Sequence, residues 1–277
     1  MTLPPDSAPF DPSAISFTST LRRVAPELFS TGDGGGGGGG GPQRSVPDHI
    51  DGTTIVALTY RGGVIMAGDR RATAGNIISK RDMRKVFPAD DWSAVGISGS
   101  AGPAMELAKI LSTELEHYEK VEGAPLSLEG KANKLAQLIR GNLPMAMQGL
   151  AVVPLFAGFD VAERGPRIYE YDVVGGRYEE RRFATTGSGG RDARGSLKAR
   201  FEPDLSPERA IDIAIEALWD AADEDSATGG PDVVRGIYPL VAQIDGDGYR
   251  ELNGGTVAAR VRRIIAERRM TPADDEG

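Results

Sequence analysis

The sequence predicts an α+β layered sandwich. Three observations carry that prediction. Short β-branched and apolar runs come in pairs closed by tight turns. Amphipathic helical stretches come in consecutive pairs. The two kinds also alternate in blocks (strands, two helices, strands, two helices, strands, a helix), which argues against alternating βαβ units.

The dense, periodic part of the chain starts at Thr53. Thr54 to Tyr60 and Val64 to Gly68 are apolar runs joined by Arg61-Gly62-Gly63, and they read as a hairpin. Trp92 to Gly99 reads as another strand. Pro103 to Lys120 places Leu107, Ile110, Leu111, Leu115 and Tyr118 at helical spacing. A second helix runs from the N-cap Ser127 to about Gly149, with Pro144 interrupting its last turns. Ala151 to Asp160, Arg167 to Val173 and Arg177 to Thr185 read as strands, with Gly175-Gly176 as a turn. A short helical segment follows Gly187-Ser188-Gly189-Gly190 and reaches Phe201. Ser206-Pro207 opens a strong helix to about Glu224, with Pro at its first position and Ile211, Ala214, Ile215, Leu218 and Ala222 on one face. Val234 to Ile244 and Tyr249 to Leu252 read as a hairpin about Asp245-Gly246-Asp247-Gly248, and Thr256 to Arg269 as the last helix.

The first 52 residues differ in kind. They hold six acidic residues, three arginines and an unbroken glycine run from Gly34 to Gly41, whose backbone entropy opposes ordering. Within them only Ile15 to Leu28 has apolar spacing. Residues 1–52 are expected to be a flexible leader and residues 53–277 one folded domain.

Composition excludes several classes of function. The chain has 277 residues, 32 Lys+Arg, 40 Asp+Glu, a net charge of -8 and no cysteine. A disulfide framework, a thiolate metal site and a cysteine nucleophile are therefore ruled out. His49 and His117 are too far apart to suggest a local ligand pair, and no metal or cofactor is expected. An acidic chain without a basic tract is a poor binder of nucleic acid. No apolar run reaches the length of a membrane span, and the N-terminus MTLPPDSAPF has no secretory pattern, so a cytoplasmic protein is expected. Gly187-Ser188-Gly189-Gly190 lacks both the GxxxxGK[ST] pattern and the dinucleotide fingerprint.

Three clusters are able to carry chemistry. At Gly52-Thr53-Thr54 the leader meets a strand. Cleavage between Gly52 and Thr53 would give Thr53 a free α-amine beside its own hydroxyl, a base and a nucleophile in one residue. Asp69 closes the first hairpin and Lys85 follows it by sixteen residues. A lysine near that amine would lower its pKa, and an aspartate would fix the lysine, although such residues are more commonly a surface ion pair. Asp225-Ser226-Ala227-Thr228-Gly229-Gly230 offers hydroxyls and a carboxylate for a hydrogen-bonded loop, or simply the end of a helix.

In this order the clusters resemble the proteasome β-subunit family of N-terminal nucleophile hydrolases, in its bacterial (actinobacterial) form. The resemblance rests on Gly52 to Ala57, Ala67 to Thr73, Arg84-Lys85-Val86, Gly96 to Ala101, Glu114 to Lys120, Arg140 to Leu143, Ala146 to Gly149, Gly187-Ser188-Gly189 and Ala221 to Arg235. It spans Thr53 to about Arg269; the leader, with its glycine run, has no evident counterpart. The resemblance implies a four-layer αββα sandwich and a threonine endopeptidase, with Thr53 as nucleophile and Asp69 and Lys85 as the charged pair. It implies that Ser188 and Asp225 complete the hydrogen bonds around the terminal amine, with Thr228 where the family often has serine. Gly99 would be the oxyanion donor, and Ala72, Thr73, Met83, Ile97 and Ala101 would line an apolar primary pocket. It further implies that the chain cuts its own Gly52–Thr53 bond on assembly. The implied assembly is four stacked seven-membered rings, two of β subunits between two of α subunits, with an ATPase ring delivering tagged, unfolded proteins. Two other readings fit less well. A two-ring bacterial threonine protease shares several motifs but is shorter, and a non-catalytic β-type subunit would generally lack the threonine, lysine or aspartate present here.

Overall fold

The structure, a computed structural model, describes residues 52–270. The expectations for residues 1–51, including the Ile15 to Leu28 stretch and the glycine run, lie outside the described residues.

Two five-stranded antiparallel sheets form the centre. The first contains β1 (Thr54–Tyr60), β2 (Gly63–Gly68), β10 (Phe183–Gly187), β11 (Leu240–Asp245) and β12 (Gly248–Glu251), in the order β10-β1-β2-β11-β12. The second contains β5 (Val86–Asp90), β6 (Ser93–Gly96), β7 (Leu155–Asp160), β8 (Gly165–Tyr171) and β9 (Arg177–Glu180), in that order. A small ribbon, β3 (Ala72–Ala74) with β4 (Ile77–Lys80), stands apart from both sheets. The helices are α1 (Ala101–Glu122), α2 (Leu128–Gly141), α3 (Leu143–Met147), α4 (Gly190–Arg200), α5 (Pro207–Glu224) and α6 (Gly254–Met270).

Side-chain alternation along the strands dictates the layering, because successive residues face opposite sides of a sheet. In β1, Ile55 and Ala57 join a core shared by the two sheets, while Val56, Leu58 and Tyr60 face α4, α5 and α6. β2 repeats the division, with Val64 and Met66 inside and Ile65 and Ala67 toward the same helices. In the second sheet, Ala94, Leu155, Ala157 and Ile168 face the first sheet, and Val95, Phe156 and Tyr169 face α1 and α2. The result is three apolar layers between four structural ones, the αββα sandwich that the sequence led us to expect. Ser127 Oγ accepts from Gly130 N–H at 3.1 Å and Ser206 Oγ from Arg209 N–H at 3.2 Å, so both expected serine caps form. On α5, Asp212, Glu216 and Asp220 form an acidic stripe gripped by Arg200 of α4, Arg209 of α5 itself, and Arg260, Arg263 and Arg268 of α6.

Some boundaries differ from expectation for local reasons. The run Arg177 to Thr185 is two strands, β9 and β10, in different sheets; the chain crosses over at Arg181-Arg182, where Thr59 N–H donates to Arg182 O at 2.8 Å. The valines at 233 and 234 lie ahead of β11, in a turn where Asp232 and Ile237 exchange two backbone hydrogen bonds of 2.8 and 3.0 Å. The second helix ends at Gly141, and Leu143–Met147 is a separate short helix. β5 escapes notice in the sequence because Pro88 sits within it, which an edge strand tolerates.

Candidate active site

The β1–β2 pairing builds the first half of the site. Its register sets Ile55 opposite Gly68, so the residue that leaves β2, Asp69, lies beside the residue that enters β1, Thr54. Asp69 N–H donates to Thr54 O at 3.1 Å, and Thr54 N–H donates to Asp69 Oδ1 at 2.9 Å. Lys85 immediately precedes β5, at the edge of the other sheet, and its carbonyl accepts from Ile97 N–H at 2.9 Å. Its ammonium reaches Asp69 Oδ1 at 2.7 Å and the carbonyl oxygen of Gly52 at 3.0 Å, and also donates to Arg71 O.

The side chains of Lys85 and Asp69 are 1% and 0% exposed, so they are not a surface pair. A buried ion pair is tolerated only when its remaining hydrogen-bonding capacity is met. Here Asp69 Oδ2 accepts from Arg71 N–H and Gly229 N–H, both at 2.9 Å. Gly229 belongs to the loop after α5, so the carboxylate ties that loop to the hairpin.

The second half comes from the α5 C-terminus and the β10–α4 turn. Gly187 has φ +99°, and a Cβ on it would lie 1.8 Å from Thr53 O. Only glycine allows the turn to pass this close to Thr53. Ser188 N–H then donates to Thr53 O at 2.8 Å, and Thr53 N–H donates to Ser188 Oγ at 3.3 Å. Ser188 Oγ donates to Asp225 Oδ2 at 2.5 Å, and Asp225 follows the last turn of α5, with its N–H on Ala221 O. Thr228 Oγ1 donates to the same Asp225 oxygen at 2.6 Å and pairs with Thr54 Oγ1 at 2.6 Å.

The structure thus gathers Thr53, Asp69, Lys85, Ser188, Asp225 and Thr228 around the Gly52–Thr53 bond. Gly99 lies beyond β6 with φ +96°, bridged to Val152. The preceding Ser98 Oγ is 2.9 Å from Thr186 Oγ1, which ties this turn to the end of β10. Of the expected pocket residues, Thr73 touches the leader: its Oγ1 accepts from Gly52 N–H at 3.2 Å. Ala72 and Ile97 are buried, and Met83 and Ala101 half-buried. Met83 N–H donates to Arg70 O at 2.9 Å, beside the Asp69 turn. Sequence reasoning missed Thr54, whose hydroxyl is fully buried in the network, and the backbone groups of Arg71 and Gly229. The adjacent threonine pair was a signal for Thr54; backbone donors leave none. Among the described residues no group of three or more His, Asp or Glu could hold a metal ion, and no helix is long and apolar enough to cross a membrane.

A four-layer sandwich with a threonine leading an inner strand, set against a buried lysine–aspartate pair, defines an N-terminal nucleophile type of hydrolase architecture. Comparison with known proteins narrows the class. The family model described as proteasome subunit matches residues 50–235. The chain is 54% identical over 266 residues to the proteasome subunit beta of Acidothermus cellulolyticus, covering 94% of this chain and 90% of that one. It is 52% identical over 263 residues to that of Streptomyces griseus, covering 95% and 92%, and 54% identical over 257 residues to that of Frankia alni, covering 93% and 92%. The chain therefore belongs to the proteasome subunit family, as a β subunit of the catalytic kind. The matched share exceeds what residues 53–277 supply, so the likeness extends into the leader, contrary to the sequence-based expectation.

Proposed function

We propose that the chain is a threonine endopeptidase that frees its own nucleophile by cutting the Gly52–Thr53 bond. The observation that carries this reading is the Lys85 ammonium, shared between Asp69 and the Gly52 carbonyl at 2.7 and 3.0 Å. A cation on that carbonyl oxygen stabilises the negative charge that develops when the carbonyl is attacked. Thr53 Oγ adds to the Gly52 carbonyl carbon, the C–N bond breaks, and the Thr53 nitrogen takes the proton. Water then hydrolyses the resulting ester, leaving a carboxylate on Gly52 and a free amine on Thr53.

The same atoms serve peptide substrates. Thr53 Oγ attacks the scissile carbonyl while its own amine takes the hydroxyl proton. The Lys85 charge disfavours protonation of that amine, and Asp69 fixes Lys85. Ser188 and Asp225 orient the amine, and the Gly99 amide serves as oxyanion donor. The amine returns the proton to the leaving group, and water releases the acyl product. Ala72, Thr73, Met83, Ile97 and Ala101 form the primary pocket, and its apolar character favours cleavage after apolar or aromatic residues. Residues 1–52 act as a propeptide and residues 53–277 as the protease domain. The subunit works in the cytoplasm within four stacked seven-membered rings of β and α subunits, and an ATPase ring supplies unfolded proteins.

A panel of fluorogenic peptides tests this reading on the particle assembled with its α subunits. Wild type is expected to prefer an apolar residue before the scissile bond, and Thr53→Ala to show no turnover. Residual turnover by Thr53→Ala would remove the nucleophile assignment, and faster turnover of basic or acidic peptides would remove the pocket assignment.

A further inference from the structure

We propose that Thr54 is a positioning residue: its hydroxyl clamps the Ser188 turn to the Asp225 loop and sets the direction of the hydrogen bonds that reach the nitrogen of Thr53. The proposal deepens the reading of Thr53 as nucleophile and rests on it.

A threonine or serine hydroxyl has a single proton to give. Thr228 gives its proton to Asp225 Oδ2 at 2.6 Å, so in the 2.6 Å contact between Thr54 Oγ1 and Thr228 Oγ1 the proton comes from Thr54. Thr54 Oγ1 in turn accepts from Gly189 N–H at 3.1 Å. Ser188 gives its proton to Asp225 Oδ2 at 2.5 Å, which leaves a lone pair for Thr53 N–H at 3.3 Å. Two chains thus converge on one carboxylate oxygen. One runs from Thr53 nitrogen through Ser188; the other runs from Gly189 nitrogen through Thr54 and Thr228. Asp225 Oδ1 is engaged separately by Ala227 N–H at 3.1 Å.

Thr54 is where the two loops meet. It holds the amide next to Ser188 and the hydroxyl that shares Asp225 with Ser188. Both Thr54 and Thr228 are 0% exposed. A Cβ on Gly189 would lie 2.5 Å from Thr54 Oγ1 and 2.7 Å from Thr228 Oγ1, so the junction is packed closely. Removing the Thr54 hydroxyl leaves Gly189 N–H without its acceptor and Thr228 without its donor, in a place where such groups are costly to leave unmet. The Thr228 hydroxyl acts on Asp225 and Thr54.

The test compares Thr54→Ser, Thr54→Val, Thr228→Val, the double valine variant and Thr53→Ala in the particle assembled with α subunits. For the Thr54 and Thr228 variants turnover is counted per chain whose intact mass begins at Thr53, so slow processing does not hide the effect, and for Thr53→Ala it is counted per assembled chain. Valine keeps the shape of threonine and removes the hydroxyl. Thr54→Val is expected to lower kcat about tenfold with KM within about twofold, and Thr54→Ser to restore kcat to within about twofold of wild type. The double variant is expected to be no slower than the slower single one, because both cut one chain. If Thr54→Val blocks assembly, Thr228→Val reads the same chain from its other end and is expected to show the same kcat loss. Unchanged kcat in Thr54→Val, a serine variant as slow as the valine one, or losses that multiply would overturn the proposal. Thr53→Ala keeps the two readings apart: turnover there overturns the nucleophile itself, whereas a silent Thr53→Ala beside a fully active Thr54→Val overturns only the role of Thr54.

Discussion

Replacing Lys85 by methionine would strip the charge from the centre of the site while keeping much of its volume. The magnitude follows from burial. Lys85 and Asp69 are 1% and 0% exposed, so water does little to screen the charge that remains. Asp69 would keep Thr54, Arg71 and Gly229 N–H as donors but lose Lys85, its charged partner among the described residues. Breaking such a pair from one side costs about 3–5 kcal/mol, against about 0–1 kcal/mol for an exposed pair. Adding Asp69→Asn neutralises the stranded carboxylate, so the double variant should be more stable than Lys85→Met alone by about 1–3 kcal/mol. The measurement is urea unfolding of the full chain, followed by the fluorescence of Trp92 and Trp219, in a Thr53→Ala background that keeps the leader attached throughout. If each single change cost under about 1 kcal/mol and the two costs added, the pair would behave like a surface contact. The role given to Lys85 at the Gly52 carbonyl would then lose its electrostatic basis.

Other consequences are as direct. Tyr171 Oη donates to Ala132 O at 2.9 Å, whereas the buried Tyr169 Oη has no hydrogen-bond partner among the described residues, so Tyr171→Phe should cost about 1 kcal/mol and Tyr169→Phe nothing or less; chemical denaturation compares them. Gly187→Ala would place a methyl on Thr53 O at a positive φ, and is expected to lower the unfolding midpoint of the purified chain and to stop loss of the leader, read by intact mass after assembly with α subunits. Burial, together with Asp245, pushes the Tyr60 phenol up from 10.0 to about 12. The native state therefore holds that proton more tightly than the unfolded chain, and the stability so gained is complete below about pH 10 and lost as pH rises toward about 12. Tyr60→Phe should flatten that part of the stability–pH curve, and an unchanged slope would count against the assignment.

Much of this was legible in the sequence, and what was not has physical causes. The layering could be read because β1 and β2 are buried on both faces and α5 carries a clean apolar stripe between a serine cap and an acidic face. Spacing alone brought Asp69 and Lys85 under suspicion, but burial decided that they are no surface pair, and burial is a tertiary property. The β-branched residues around Val234 imitate a strand, yet the Asp232–Ile237 turn comes first because Gly236 accepts φ +69° there. Thr54 went unnoticed because its hydroxyl acts through a residue 174 positions away. The Arg71 carbonyl and the Gly229 amide contribute through atoms that every residue has, so no residue type betrays them.

The central claim is that Thr53 frees its own amine. The most direct measurement is the intact mass of this chain after assembly with its α subunit, for wild type and Thr53→Ala in parallel. Wild type is expected to lose residues 1–52 and the variant to keep them. Both chains remaining full length in assembled rings, or both being shortened alike, would contradict it.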